Sequence, residues 1–173
     1  MATTQTMASD AVRTDFLGGL RNAHAIEAQA SQILQRQIDR SSDYPDVVSR
    51  LKKHLDETHM QQERLEHILS GMGETPSATK DIVLGAVGNI MALGHAVASD
   101  EIIKNTLQNA AFEHYEAAMY RSLLAMADAC GATEAAQKLQ ESLHEEELMA
   151  AWVDEHTAEV TRTYLARHQR GEA

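Results

Sequence analysis

The sequence predicts an all-α protein, built as a bundle of four long helices with one crossover connection between two helical hairpins. Apolar residues recur at spacings of three and four along most of the chain, which places them on one face of each helix. Only 2 of the 173 residues are proline and 4% are aromatic, whereas a β-sandwich or barrel is rich in β-branched and aromatic residues. Because 43% of the residues are hydrophobic, the chain can bury a core, and disorder along its whole length is excluded.

A single domain is predicted over residues 1–173, with helices over residues 12–40, 44–70, 79–97, 99–129 and 133–166. Ser41-Ser42-Asp43 ends the first helix, and Pro45 follows at a position where a new helix tolerates proline. Gly71 and Gly73 end the second long helix, and Gly131 ends the third. The helix over residues 79–97 is shorter and bridges the second and third long helices. Two hairpins joined by a long connection are the arrangement of ferritin-like bundles.

The charge and cysteine content exclude several classes of function. Asp and Glu number 26 against 15 Lys and Arg, and no basic face is visible that would neutralise nucleic-acid phosphates. The most apolar segment, residues 82–97, is shorter than the roughly 20 residues that a bilayer crossing needs. No secretory signal pattern is visible, and the single cysteine, Cys130, forms no intramolecular disulfide. We therefore expect a cytoplasmic protein that binds neither nucleic acid nor membrane.

Carboxylates interrupt the apolar face of each long helix near its middle. Those that lie on an inward face or beside it are Glu27, Glu57, Glu113, Glu116 and Glu146. A carboxylate in an apolar interior must be neutralised, paired or bound to metal, and few inward-facing cations are available to pair with five of them. Dinuclear iron or manganese sites in bundles take a carboxylate from each of two helices and a Glu-x-x-His motif from each of the other two. The pattern therefore predicts a centre for one or two iron or manganese ions.

Other polar residues border the predicted centre. Of the nine histidines, only His54 projects towards it, beside Gln61. His24 lies one turn from the carboxylate of the first helix and is either a ligand or proton carrier, or a buried hydrogen-bonded side chain. Tyr120 is expected in the core with its hydroxyl bonded to a partner such as a carboxylate. The run Glu145-Glu146-Glu147 leaves open whether the first or the second of these carboxylates points inward.

Three segments resemble the YciE/YciF-like family of bacterial stress proteins, a branch of the ferritin-like superfamily. They are Leu20-Arg-Asn-Ala-His-Ala-Ile-Glu-Ala-Gln29, His54-Leu-Asp-Glu-Thr58, and Glu113-His-Tyr-Glu116 followed by Tyr120. The resemblance covers about residues 12–155, and its third segment is the most specific. It implies an all-α bundle that forms homodimers, a link to stress responses, and a biochemical activity that is not established for the family.

Within that superfamily the chain is most similar to rubrerythrin-like bundles. The similarity implies metal ligation by Glu27, Glu57, Glu113, Glu116 and Glu146. The sequence departs from the pattern because Met60 and Met149 stand where the two histidine ligands are expected. His54 and Gln61 can substitute on the second long helix, whereas the last helix offers no equivalent. An all-oxygen site, a single-metal site and a site that has lost its metal are all compatible with these departures.

Two classes of function follow from these residues. In the first, the carboxylates hold iron or manganese, and O₂ or peroxide is reduced at open metal positions as metal is oxidised, with Tyr120 beside the ligands. Electrons would come from an external donor, because the chain contains no Cys-x-x-Cys module. In the second, the chain is a non-catalytic dimeric stress or structural protein whose carboxylate cluster is a degenerate metal site. The metal content of the purified protein separates the two.

Overall fold

The structure is a computed structural model that describes residues 2–74 and 100–172. Within these ranges the chain forms four helices: α1 (Ala2–Arg40), α2 (Pro45–Gly71), α3 (Glu101–Ala129) and α4 (Thr133–Gln169). These ranges contain no strand, and none of their helices is long and apolar enough to cross a membrane. The predicted all-α class is confirmed, while the short helix predicted over residues 79–97 lies outside the described residues. α1 begins well before residue 12, because no proline or glycine interrupts the chain before Gly18.

Glycines end α2 and α3 where the sequence predicts. Gly73 and Gly131 have φ angles of 82° and 65°, a left-handed conformation that glycine adopts without a steric penalty. The residue after each glycine then donates its backbone N–H to a carbonyl in the last helical turn. These bonds run from Glu74 to Leu69 at 3.0 Å and from Ala132 to Ala127 at 2.8 Å. These bonds close the last turn of α2 and the last turn of α3.

The helices form two antiparallel hairpins, α1 with α2 and α3 with α4, and α1 also packs on α3 and α2 on α4. Ion pairs show the direction of each helix. Arg40 at the end of α1 lies 2.7 Å from Glu101 at the start of α3, and Arg21 lies 3.0 Å from Glu74, just after α2. The end of α2 and the start of α3 therefore lie towards opposite ends of the bundle. Residues 75–99 join these two points, as a bundle with one crossover requires.

The core contains three apolar clusters, and the two larger ones lie at different heights along the bundle. The first includes Phe16, Leu20, Leu65, Leu69, Leu123 and Leu139. The second includes Leu34, Ile38, Leu51, Met149, Val153 and Val160. On every helix the residues between the two clusters include buried polar side chains, so the bundle has a polar layer near its middle.

Candidate metal centre

The polar layer contains seven side chains that are each at most 2% exposed, and every helix contributes at least one. They are Glu27, His54, Thr58, Gln61, Glu113, Glu116 and Glu146. The three residues of α2 share one helical face because they are spaced by four and three. The two glutamates of α3 are three residues apart and lie on adjacent turns of one face.

Four side chains of this layer bring possible metal ligands together. One ligand atom each from His54, Glu113, Glu116 and Glu146 lies within 4.8 Å of all the others. His54 Nε2 is 3.0 Å from Glu113 Oε2 and 3.7 Å from Glu146 Oε2. In residues 2–74 and 100–172, no lysine or arginine forms an ion pair with these glutamates, so His54 is their one cationic partner there. Imidazole nitrogen together with carboxylate oxygens is a donor set that suits iron and manganese. We call these four residues the ligand cluster.

Glu27 borders the ligand cluster from α1. The hydroxyl of Tyr120 donates a hydrogen bond of 2.6 Å to Glu27 Oε1. Burial raises the pKa of Glu27 to about 8, although the bond from Tyr120 and the charge of His54 act in the opposite direction. Tyr120 therefore holds one oxygen of a carboxyl group that stays largely protonated below neutral pH when no other cation is near.

Several carboxylate oxygens of the layer have no hydrogen-bond partner among the described residues. They are Glu27 Oε2, Glu116 Oε1, Glu146 Oε2 and Glu113 Oε2, the last of which lies 3.0 Å from His54 Nε2 without the geometry of a hydrogen bond. The buried amides of Gln37 and Asn109, by contrast, bond each other reciprocally at 3.0 and 2.9 Å. Buried polar atoms normally have a hydrogen-bond partner, and a buried atom without one is costly. A single cation between these oxygens would interact with all of them. The residues present therefore fit a divalent metal ion.

The electrostatics of the ligand cluster favour protons or a cation. Burial raises the pKa of Glu116 well above its usual range, and the nearby Glu27 and Glu146 carboxylates raise it further. Burial also raises the pKa of Glu146, although the charge of His54 opposes the shift. For His54, burial lowers the pKa, but the carboxylates of Glu113 and Glu57 outweigh burial and the pKa lies well above its usual value. A metal ion that binds here must displace these protons.

The structure decides which carboxylate of the 145–147 run points inward. Glu146 is fully buried and accepts a hydrogen bond from Gln61 through Oε1. Glu145 lies at the edge of the layer, where both of its oxygens bond Arg64 of α2 at 2.6 and 2.8 Å. Glu147 pairs with the exposed Arg121. The inward carboxylate is therefore Glu146.

Glu57 lies outside the ligand cluster. Its Oε1 is 2.8 Å from Lys53 Nζ, and its Oε2 is 3.1 Å from Arg50 Nη1 and 3.2 Å from His54 Nδ1. Burial acts to raise the pKa of Glu57, but these three partners outweigh burial and lower the pKa to about 2. Sequence reasoning missed both cations, although the spacing of four between Lys53 and Glu57 is a recognised helix pair.

The predicted residue His24 and the position of Met60 also lie outside the ligand cluster. His24 Nε2 lies 3.0 Å from the exposed Glu66, and His24 is not a member of the ligand cluster. Met60, at the position where the similarity expects a histidine, is 48% exposed. The buried pair on α2 with the same spacing of three residues as Glu57 and Met60 is Thr58 and Gln61. The Thr58 hydroxyl donates to the backbone carbonyl of its own helix one turn earlier and is not turned towards the glutamates.

The fold and the ligand cluster together define a class, the four-helix-bundle proteins that carry a buried histidine–carboxylate layer. The chain belongs to the family described as a domain of unknown function (DUF892), which matches residues 11–166. Protein YciF of Escherichia coli strain K12 is 30% identical over 139 residues, which cover 76% of this chain and 81% of YciF. The resemblance to YciF-like proteins is thus confirmed.

Solved structures agree with this assignment. A protein from Xanthomonas campestris pv. campestris has a TM-score of 0.76 at 27% identity, and the match covers 91% of this chain and 99% of that one. The E. coli stress protein YciF has a TM-score of 0.71 at 19% identity, covering 87% and 97%. The second likeness supports the fold alone.

Proposed function

We propose that this protein binds one or two iron or manganese ions in its polar layer and reduces peroxide or O₂ there, or oxidises the metal. The observation that carries the proposal is the convergence of four buried ligand atoms, from three helices, within 4.8 Å of one another. Glu27 of α1 supplies a further carboxylate at the border of the ligand cluster, with one oxygen free.

The charge of the layer supports a bound cation. Four carboxylates face one histidine, so full ionisation leaves a net charge of −3 in an apolar interior (−4 from Glu27, Glu113, Glu116 and Glu146, and +1 from His54). Uncompensated buried charge is very costly. Two divalent ions would neutralise the four carboxylates, and one ion would neutralise two while the others keep protons.

The chain's own side chains prepare the site in several ways. Tyr120 and Gln61 each bond one oxygen of a glutamate, Glu27 and Glu146 respectively, and leave its second oxygen free for an ion. The two apolar clusters above and below the layer exclude water. Bound iron or manganese would supply the electron transfer to O₂ or peroxide. An external donor would return the electrons, since the sequence contains a single cysteine and no Cys-x-x-Cys module.

Metal-free protein loaded with Fe(II) without oxygen is expected to oxidise the iron with peroxide on the order of tenfold faster than free Fe(II), because the carboxylates stabilise the ferric product. Stopped-flow absorbance of the ferric product measures this rate. Glu113→Gln should lose the acceleration, whereas the matched control Glu66→Gln, outside the ligand cluster, should keep it. Equal rates with and without protein would contradict the proposed activity.

One observation favours the alternative, a non-catalytic dimeric stress or structural protein with a degenerate metal site. Met149 is fully buried three residues after Glu146, and the exposed Met60 lies three residues after Glu57, so neither expected histidine position offers an imidazole. Protons held by Glu27, Glu116 and Glu146 would then neutralise the layer in place of metal. This alternative predicts a protein that takes up no metal under any loading condition.

A further inference from the structure

We infer that Glu57 is a positioning residue for His54 and not a metal ligand: its carboxylate holds the imidazole through Nδ1 and thereby presents Nε2 to the ligand cluster. This inference rests on the proposed metal-binding function. The family resemblance implies that Glu57 is a metal ligand, whereas this inference gives Glu57 a different role. The contribution of α2 to the centre is then the imidazole of His54.

The two nitrogens of the His54 ring face different partners. Nδ1 lies 3.2 Å from Glu57 Oε2, and Nε2 lies 3.0 Å from Glu113 Oε2 and 3.7 Å from Glu146 Oε2. The side chain is 1% exposed, so the layer around it restricts its rotation. Metal-bound histidines usually donate their second ring N–H to a carboxylate or carbonyl, which selects the tautomer and the ring orientation. In this chain Glu57 is the carboxylate beside Nδ1, and Nε2, which faces Glu113, is the nitrogen left for a metal ion.

The partners of Glu57, which is partly exposed, distinguish it from the buried glutamates. Both of its oxygens are engaged, Oε1 by Lys53 at 2.8 Å and Oε2 by Arg50 at 3.1 Å and by His54. Glu27, Glu116 and Glu146 each keep one oxygen without a hydrogen-bond partner among the described residues. A carboxylate already neutralised by two cations has little to gain from a metal ion. A carboxylate paired with two cations is, however, a strong acceptor for the Nδ1–H of the ring.

A double-mutant cycle read out by Mn(II) affinity tests this inference. The dissociation constant for Mn(II) would be measured by electron paramagnetic resonance for the wild type, Glu57→Gln, His54→Ala and the double variant. Glu57→Gln is expected to weaken binding about 10–100-fold, the usual cost of losing a group that orients a ligand. In the His54→Ala background the same change is expected to alter affinity less than about threefold, because Glu57 acts through the missing ring.

Glu66→Gln is the matched control, since Glu66 makes a similar pair with His24 at 3.0 Å outside the ligand cluster, and it should leave affinity unchanged. An equal loss from Glu57→Gln in both backgrounds would overturn the inference, because it would mean that Glu57 contacts the ion independently of His54. A wild type that binds neither Mn(II) nor Fe(II) would overturn the proposed function itself. The two failures are therefore distinguishable.

A second measurement needs only the wild-type chain and covers the case of a variant that does not fold. In Zn(II)-loaded protein with ¹⁵N-labelled histidine, the nitrogen chemical shifts report which ring nitrogen carries the proton and which binds metal. We expect a protonated Nδ1 and a metal-bound Nε2 for His54. The reverse pattern, or a His54 that does not bind the metal, would overturn the inference.

Discussion

Glu116→Gln is expected to weaken metal binding about 100-fold or more while leaving the metal-free protein as stable as the wild type. Loss of a group that orients a ligand usually lowers metal affinity about 10–100-fold, and loss of the ligand itself should lower it at least as much. Burial holds the pKa of Glu116 well above its usual range, which favours the neutral form of this carboxyl in the metal-free wild type. A neutral amide of nearly the same shape therefore removes the ligand without adding a buried charge or a cavity.

Thermal unfolding with and without Mn(II) measures both parts of this expectation. Metal should raise the melting temperature of the wild type, because an ion that binds only the folded state stabilises it by mass action. It should not raise that of Glu116→Gln. Glu147→Gln is the matched control, since Glu147 pairs with Arg121 at the surface. A Glu116→Gln protein that still gains stability from Mn(II) would show that Glu116 is not a ligand.

The metal-free protein is expected to lose stability as the pH rises from about 4.5 to about 8. Burial raises the pKa of Glu27 from its usual 4.5 to about 8, so between these values the folded state holds a proton that the unfolded state releases. Proton binding then favours folding, and its contribution disappears as the pH passes the folded pKa. The raised pKa of His54 acts in the same direction above its usual 6.5. The expected fall in melting temperature is on the order of 10 °C for a chain of this size.

Glu57 determines how the stability of the metal-free protein changes at acid pH. Its hydrogen bonds to His54, Lys53 and Arg50 outweigh burial and lower its pKa to about 2, so its stabilising contribution is complete above 4.5 and is lost as the pH falls towards 2. Stability of the metal-free protein should therefore be highest near pH 5. Urea unfolding of chelator-treated protein from pH 3 to 9 measures the profile, and Glu27→Gln should flatten its alkaline side. Stability that rises between pH 5 and 8 would contradict the burial of protonated carboxyls.

The periodicity of the sequence was sufficient to predict the four long helices and to place Glu27 and Glu113 inside the bundle, whereas it left open whether Glu145 or Glu146 points inward. An apolar stripe defines the buried face of a helix, and a carboxylate in the middle of that stripe must therefore point into the bundle. The same periodicity indicates where α2 and α3 end, because Gly73 and Gly131 follow the last residues of their stripes.

Residues at the edge of a stripe could not be predicted in this way, because their direction depends on partners. Glu57 turns to Arg50 and Lys53 on its own helix, and this leaves the adjacent His54 to face the other glutamates. Arg64 of α2 engages Glu145 of α4, a contact between residues 81 positions apart that no local pattern reveals. Side-chain pairing, within α2 for Glu57 and between α2 and α4 for Glu145, thus keeps these residues at the edges of the stripes out of the ligand cluster.

The metal content of the protein as isolated tests the proposed centre most directly. The protein would be purified without chelator, its metals quantified by elemental analysis, and any ion located by anomalous diffraction. The proposed centre predicts one or two iron or manganese ions per chain, bounded by His54, Glu113, Glu116 and Glu146. A wild-type protein that contains neither metal, and takes up none when incubated with Fe(II) or Mn(II), would contradict it.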